Sequence, residues 1–286
     1  MYDRICTDLL SNDPLFGQIL ALCPFLEMFP PTGELPFNRY LLVSKKEHSI
    51  LVAKQMGLGT ASPNPELQAT ILIKDLSSLR PYLSFVNDPI DGCDLFVFDM
   101  GNVVVKNIHM LGKISRRWNL PKEEFKADYR KYDFALMDGT LEPEKYWDHV
   151  HTKFGIRVEG DPFGKEFNPT FNDEVVDLVK RLRKEGKRVV CGSNTIASHW
   201  DILERMGALA LFDKAYASHE MGISKPSRQF FEHILDKEKG KAGTTYFVDD
   251  YEENIFMAAQ MGLKCLFYAD GVEQSSSEKL SEVFAL

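Results

Sequence analysis

Four short segments of the chain carry residues able to do chemistry. Asp99 follows the apolar run Leu95-Phe96-Val97-Phe98 and precedes Met100-Gly101-Asn102-Val103. A carboxylate there can act as a nucleophile, although a lone Asp after a strand is more often a turn or cap residue. Ser193-Asn194-Thr195 follows a second apolar run. A hydroxyl and backbone N–H groups ahead of a helix can hold an anion, or simply cap that helix. Lys225 stands in Gly222-Ile223-Ser224-Lys225-Pro226, where the plain reading is a solvated loop lysine. Asp249-Asp250 closes the run Thr245-Tyr246-Phe247-Val248. Two adjacent carboxylates at a buried strand end repel one another and call for a cation.

The elements that must position these residues follow from periodicity. Each segment sits where a strand ends, which is where open α/β sheets place ligands. After Asn172, a candidate N-cap, Val175, Val176, Leu178, Val179 and Leu182 recur at helical spacing until Gly186 stops the helix. Strands are expected at 95–98, 188–191, 214–217, 245–248 and 264–267. Helices are expected over 197–206 and 228–235, and from Asp250 to Gly262. Strands alternating with helices give an α/β fold, a parallel sheet covered on both faces. Between the first two strands, residues 108–171 are too long for a plain crossover. They show helical patterns at 111–118, 123–132 and 144–154 and are expected to form a small helical cap inserted over the site.

The 286 residues carry a formal charge of −8, which argues against broad binding of a phosphate backbone, so no nucleic-acid partner is expected. The densest basic stretch, Lys180-Arg181-Leu182-Arg183-Lys184, lies at a helix end and reads as a solvated face. The five cysteines form no CxxC pair and no zinc spacing, which fits reduced thiols and a cytoplasmic protein. The apolar run at 19–26 has acidic flanks, unlike a signal peptide, and is too short to span a membrane; no membrane association is expected.

Nucleophile, hydroxyl, lysine and acidic pair, in this order and all at strand ends, resemble the four motifs of the haloacid-dehalogenase superfamily. The resemblance covers about residues 94–270. The Asp-Met-Gly-Asn-Val, Ser-Asn-Thr, Lys-Pro and Val-Asp-Asp segments look like its small-capped phosphatases, which act on sugar phosphates. The resemblance implies a Rossmann-like core over 94–107 and 172–286, a helical cap over 108–171, and an Mg²⁺ ion. It implies that Asp99 attacks phosphorus, and that Asp99, the Gly101 carbonyl and one or both of Asp249 and Asp250 hold the metal. Ser193, the Asn194 backbone N–H and Lys225 would stabilise the phosphoryl oxygens of a small phosphorylated metabolite. One position departs from the pattern. The family's general acid, two residues beyond the nucleophile, is here Gly101. His109, Asp133 and Asp138 are the substitute candidates, and without a strong acid the better leaving groups, such as an anomeric sugar oxygen, should be favoured. A weakened enzyme kept as a binding or regulatory protein, and a metal-free haloacid dehalogenase, are the alternative readings.

Residues 1–90 lie outside that core. Segment 40–58 aligns without gaps to 245–263, Tyr40 lying opposite Thr245, with eight of nineteen positions identical. Ser44-Lys45 replaces Asp249-Asp250. The segment therefore reads as an α/β extension, a degenerate non-catalytic copy built from 39–43, 47–56 and 70–74. Its role would be to extend the sheet, pack on the core or make a homodimer.

Overall fold

Apolar runs become parallel strands, and these build two sheets rather than one. The computed structural model describes every residue except 24–25, 34, 75, 84–86, 271–273 and 286. The chain divides into one unit of Met1–Asp88 with Ala269–Leu286 and a second of Pro89–Tyr268.

The first unit contains β1 (Arg4–Thr7), α1 (Pro14–Leu22), β2 (Glu27–Met28), β3 (Tyr40–Val43), α2 (Glu47–Met56), β4 (Gly59–Ser62) and β5 (Ile71–Leu72). Its sheet has the order β2-β1-β3-β4-β5. Every pairing in it is parallel. Alternate side chains feed two apolar groups, Ile5, Leu41 and Val43 in one and Cys6, Tyr40 and Leu42 in the other, as the period of two requires. The expected three-piece copy needs correction. The strand that follows α2 is β4, not the 70–74 segment, which shrinks to β5 beside it. Gly-Thr-Ala-Ser is buried but lacks the apolar run by which strands are read. The sequence also places 269–286 with the core, whereas the structure groups it with the first unit. Its helix over Ser276–Phe284, held by a Ser275–Glu278 capping box, buries Leu280 and Phe284.

The second unit begins with β6 (Leu95–Phe98) and β7 (Val105–Lys106). The helices α3 (Leu111–Arg117), α4 (Lys122–Tyr129), α5 (Asp133–Met137), α6 (Pro143–Phe154) and α7 (Pro162–Glu166) follow. After β8 (Thr170–Phe171) come α8 (Asp173–Lys184), β9 (Arg188–Ser193), α9 (Ala197–Arg205), β10 (Lys214–Ala217) and α10 (Ser218–Met221). The unit ends with α11 (Arg228–Glu238), β11 (Thr245–Asp249), α12 (Glu252–Gln260) and β12 (Lys264–Phe267). The sheet order is β10-β9-β6-β11-β12. Central β6 is buried at every residue, as a parallel strand covered on both faces must be. The winding reverses at β6, with β9 on one side and β11 on the other, so the crevice at its C-terminal end is the expected ligand site. Helix α8 buries the five apolar residues read from the sequence. Of its basic run, Lys180 reaches Asp177, Arg181 reaches Glu185 and Arg183 reaches Asp213, which is the solvated face expected.

The offset between 40–58 and 245–263 extends further in three dimensions. Short 3-10 turns at Phe37–Arg39 and Ala242–Thr244, β3 and β11, α2 and α12, then β4 and β12 succeed one another at the same spacing. Gly57 and Gly262 both end their helices at left-handed φ, +84° and +88°, a conformation that costs glycine nothing. Strand register extends the match: Thr7 pairs with Val43, and Phe98 with Val248. Asp8 therefore follows its strand as Asp99 follows β6. In the first unit, however, Ser49 donates to Asp8 at 2.5 Å, Lys46 lies 3.6 Å from it, and no second carboxylate stands at Ser44-Lys45.

The cap leaves the core through an antiparallel ribbon of β7 and β8. Ile114, Phe125, Tyr146, Trp147, Val150 and Phe163 form its core. The expected helix over 123–132 is two helices, because the chain turns after Tyr129 and restarts at Asp133. No Gly or Pro marks that turn in the sequence. Beside it, the buried Asp128 carboxylate accepts from His149 Nε2 at 2.9 Å and from the Lys153 ammonium. Burial alone would raise the Asp128 carboxyl, but the bonds from Lys153 and His149 hold it below its ordinary 3.8. Its stabilising contribution is thus present above pH 3.8 and lost as pH falls through the lower folded value. Lys153→Met strands that carboxylate with one partner and is expected to cost about 2 kcal/mol at neutral pH. Urea unfolding at pH 7 and pH 3 checks this: the difference from the natural protein should be present at the first and shrink at the second.

Candidate active site

Asp99, Ser193, Lys225 and Asp249-Asp250 come together at the C-terminal end of the second sheet. Asp99 is the first residue past β6, and its N–H donates to Val248 O at 2.9 Å, so the parallel ladder sets its backbone. Lys225 reaches in from the loop before α11. Its ammonium donates to Asp99 Oδ1 at 2.6 Å and to Asp249 Oδ2 at 2.7 Å, and only 1% of it is exposed. The rings of Phe230 and Phe247 lie beneath that ammonium at 5.8 and 5.6 Å, an arrangement favourable to a cation.

The acidic pair divides its work. Asp249 is fully buried. Tyr251 N–H donates to its Oδ1 at 2.8 Å, and Asn254 Nδ2 lies 3.0 Å from both oxygens. Asp250 lines the cavity above, and Asn102 Nδ2 donates to its Oδ2 at 2.9 Å. Asn102 can turn back in this way because it adopts left-handed φ, +55°. Oxygens of Asp99, Asp249 and Asp250 lie within 4.8 Å of one another.

The charges of this cluster do not balance. Three carboxylates face one ammonium. Burial first pushes the Asp99 carboxyl up; Lys225 opposes this, Asp249 and Asp250 add to it, and the group settles at about 7. Burial alone would lower the Lys225 ammonium, but Asp249 and Asp99 hold it above its usual value. A divalent cation among three carboxylate oxygens would relieve this excess, and hard oxygen donors at one strand end suit Mg²⁺.

Ser193 ends β9 and lines the same cavity with Asn194 and Thr195. Asn194 has a second task that the sequence did not show. Its Nδ2 donates to Lys225 O and its Oδ1 accepts from Lys225 N–H, each at 2.8 Å, so it clamps the lysine loop. Ser218 Oγ accepts from Thr195 N–H at 2.9 Å. Asn172 does not cap α8 through its side chain; its Nδ2 donates to Val103 O and Tyr268 Oη, both at 2.8 Å, bracing the loop that follows Asp99.

Gly101 lines the cavity, but not for the sake of a left-handed backbone, since its φ is not among the positive ones. A Cβ built on Gly101 would meet Ile108 Cδ1, the tip of a flexible side chain, at 2.7 Å. Of the three substitute acids, Asp133 lines the cavity; His109 and Asp138 do not. Asp138 is spent locally, accepting from Thr140 N–H and Oγ1. The cavity holds about 370 Å³, and its cap-side wall includes Ile108, Met110, Phe134, Met137 and Phe167. Lys225 is its only Lys or Arg among the described residues.

Known proteins are similar to this chain in sequence and in fold. A family model described as haloacid dehalogenase-like hydrolase matches residues 93–262. The chain is 28% identical to the sesquiterpene phosphatase astK of Aspergillus oryzae over 144 residues, 47% of this chain and 70% of the relative. A HAD family enzyme of Bacteroides thetaiotaomicron is similar in structure, with a TM-score of 0.54 at 22% identity over 61% of this chain and 93% of that one. The same enzyme, crystallised as a complex with magnesium and inorganic phosphate, gives 0.51 at 22% identity over 60% and 92%. The structural likeness shows a shared fold.

Proposed function

The chain belongs to the haloacid dehalogenase-like hydrolase family, and we propose that within it the protein is a magnesium-dependent phosphatase working through an aspartyl-phosphate on Asp99. One observation carries the reading: three carboxylates and a buried lysine converge at the sheet's switch point, beside a hydroxyl-bearing loop. The phosphatase relative and the magnesium–phosphate complex of the structural relative support it.

In this mechanism the Asp99 carboxylate attacks phosphorus and the bond to the leaving oxygen breaks. Ser193, the Asn194 backbone N–H and Lys225 stabilise the equatorial oxygens. Asp249, locked by Asn254 and Tyr251, holds Lys225 in line. Asp99, the Gly101 carbonyl, Asp250 and Asp249 would hold Mg²⁺, which when bound screens the phosphate's charge from the incoming carboxylate. Water then hydrolyses the aspartyl-phosphate. A dehalogenase has no use for the acidic pair that is retained here. Gly101 at the position of the family acid is what favours a weakened enzyme, and the assay below separates the two.

The cavity wall bears on the substrate. Its apolar cap face, with no second Lys or Arg among the described residues, suits a phosphate monoester with an uncharged, hydrocarbon-rich leaving group better than a sugar. Phosphate release from farnesyl monophosphate and naphthyl phosphate is therefore expected to exceed that from glucose 1-phosphate and glucose 6-phosphate. The margin in kcat/KM should be roughly tenfold or more, the order that a few buried methylene groups provide. Turnover undiminished by a chelator would refute the metal assignment, a sugar phosphate preferred over the apolar esters would refute the substrate class, and no turnover on any ester would leave a binding protein.

A further inference from the structure

A leaving alkoxide needs a proton, and the core has no acid at the position where the family carries one. The position two residues past Asp99 is Gly101, and a Cβ there would meet the tip of the Ile108 side chain at 2.7 Å. The donor has to come from another wall of the cavity.

Few groups on those walls qualify. Asp99, Asp250 and Lys225 belong to the charge cluster. His199 lies flat on Phe167, centroids 4.0 Å apart, with Nε2 3.3 Å from Phe163 O. Burial pushes it down to about 4, so it stands as a neutral aromatic wall. Burial also carries the Tyr129 phenol above its usual range. Tyr251 follows Asp250 directly on the core side and is 60% exposed. Asp133 is the one carboxyl that the cap brings to the cavity among the described residues.

Asp133 is also fixed in place. It opens α5, and its Oδ1 accepts from Phe134 N–H at 2.8 Å. At the other end of that five-residue helix, Met137 O accepts from Ser218 Oγ, the same hydroxyl that accepts from Thr195 N–H. Gly139 packs against the backbone at His219, where a Cβ would come within 3.0 Å of the carbonyl oxygen. The helix carrying Asp133 is thus tied to the backbone that carries Ser193-Asn194-Thr195. We propose that Asp133 is the general acid and base of this site, a reading that rests on Asp99 being a phosphatase nucleophile.

Every proton has a place. As the Asp99 oxygen bonds to phosphorus, the bond from phosphorus to the leaving oxygen breaks, and that oxygen takes the proton of the Asp133 carboxyl. In the second step water gives its proton to the Asp133 carboxylate and bonds to phosphorus. The Asp99–phosphorus bond breaks, phosphate leaves, and Asp133 is again protonated. Burial raises the Asp133 carboxyl against the opposing backbone N–H bonds and Arg130, which helps it to hold a proton between turnovers.

The test uses the full chain in Mg²⁺ with two esters, 4-nitrophenyl phosphate, whose phenolate leaves unaided, and octyl phosphate, whose alkoxide does not. Asp133→Asn should lower kcat/KM for octyl phosphate by ~10²–10⁴-fold and for the aryl ester far less. Because kcat/KM reports steps up to the aspartyl-phosphate, kcat on the aryl ester should still fall, and phosphorylated Asp99 should accumulate in quenched samples. Asp133→Ala, with its fold checked by thermal melting, should give the same ratio. Equal losses on both esters in both variants would make Asp133 a positioning residue and overturn the proposal, as would no loss on either. Failure of the phosphatase reading would appear differently, as absence of turnover in the natural protein.

Discussion

Asp99→Asn is expected to lower phosphate release by on the order of 10⁴-fold or more, on every ester, without lowering the melting temperature in chelator. The first half follows from chemistry: an amide cannot supply the nucleophilic oxygen, and removing a nucleophile eliminates the pathway rather than slowing it. The second half follows from the surroundings of the carboxylate. Burial and the neighbours Asp249 and Asp250 disfavour the charged form more than Lys225 favours it, which is why the group sits at about 7. An uncharged amide of the same shape avoids that repulsion and still offers Lys225 an oxygen. Sites of this kind give up stability for chemistry. The measurements are turnover, thermal melting with and without chelator, and the mass of acid-quenched protein after substrate. One phosphoryl group should be trapped on the natural chain and none on the variant. A variant that keeps more than a tenth of the activity would place the nucleophile elsewhere, and one that melts well below the natural protein would show that Asp99 holds the fold together.

The strand-end residues were legible because each follows an apolar run whose length and composition announce a buried parallel strand. Asp99 after β6 and Asp249 at the end of β11 are of this kind. The residues that hold them were not. Asn254 sits inside α12, Asn102 in a loop and Ser218 at the start of a four-residue helix. A polar residue in such places looks like surface until the fold turns it inward. Asn254 left a faint trace, an amide five residues beyond Asp249, close enough to turn back from the first turn of a helix that starts at Glu252. Gly101 shows the opposite limit. The sequence marks the missing carboxyl, but only packing shows that the tip of Ile108 lies against that position. The same holds for Asp133, brought to the cavity by a turn after Tyr129 that no Gly or Pro announces. The constant offset to 245–263 exposed β3 and α2, yet β4 stayed hidden because Gly-Thr-Ala-Ser carries no apolar pattern.

Lys225→Met is expected to reduce turnover by ~10²–10³-fold, the usual loss for one preorganised donor to a developing oxyanion, while making the protein depend on Mg²⁺ for its stability. The ammonium is the single cation among three carboxylates, at 2.6 Å from Asp99 and 2.7 Å from Asp249. Removing it leaves buried negative charge uncompensated, a change that typically costs about 3–5 kcal/mol. The methionine side chain still fits over Phe230 and Phe247, so the loss is one of charge rather than of packing. A divalent ion bound by the same carboxylates would return part of what the ammonium supplied, and a ligand that binds the folded state raises melting by mass action. The variant should therefore melt lower than the natural chain in chelator and gain more from Mg²⁺, yet remain slow in it, because the ion cannot take the place of the donor to the phosphoryl oxygens. Melting curves over a magnesium titration, beside turnover at saturating metal, separate the two effects. Equal gains from Mg²⁺ in both proteins would mean that Lys225 and the metal do not answer the same excess charge, and turnover restored by metal would mean that the lysine balances the carboxylates without touching the reacting phosphate.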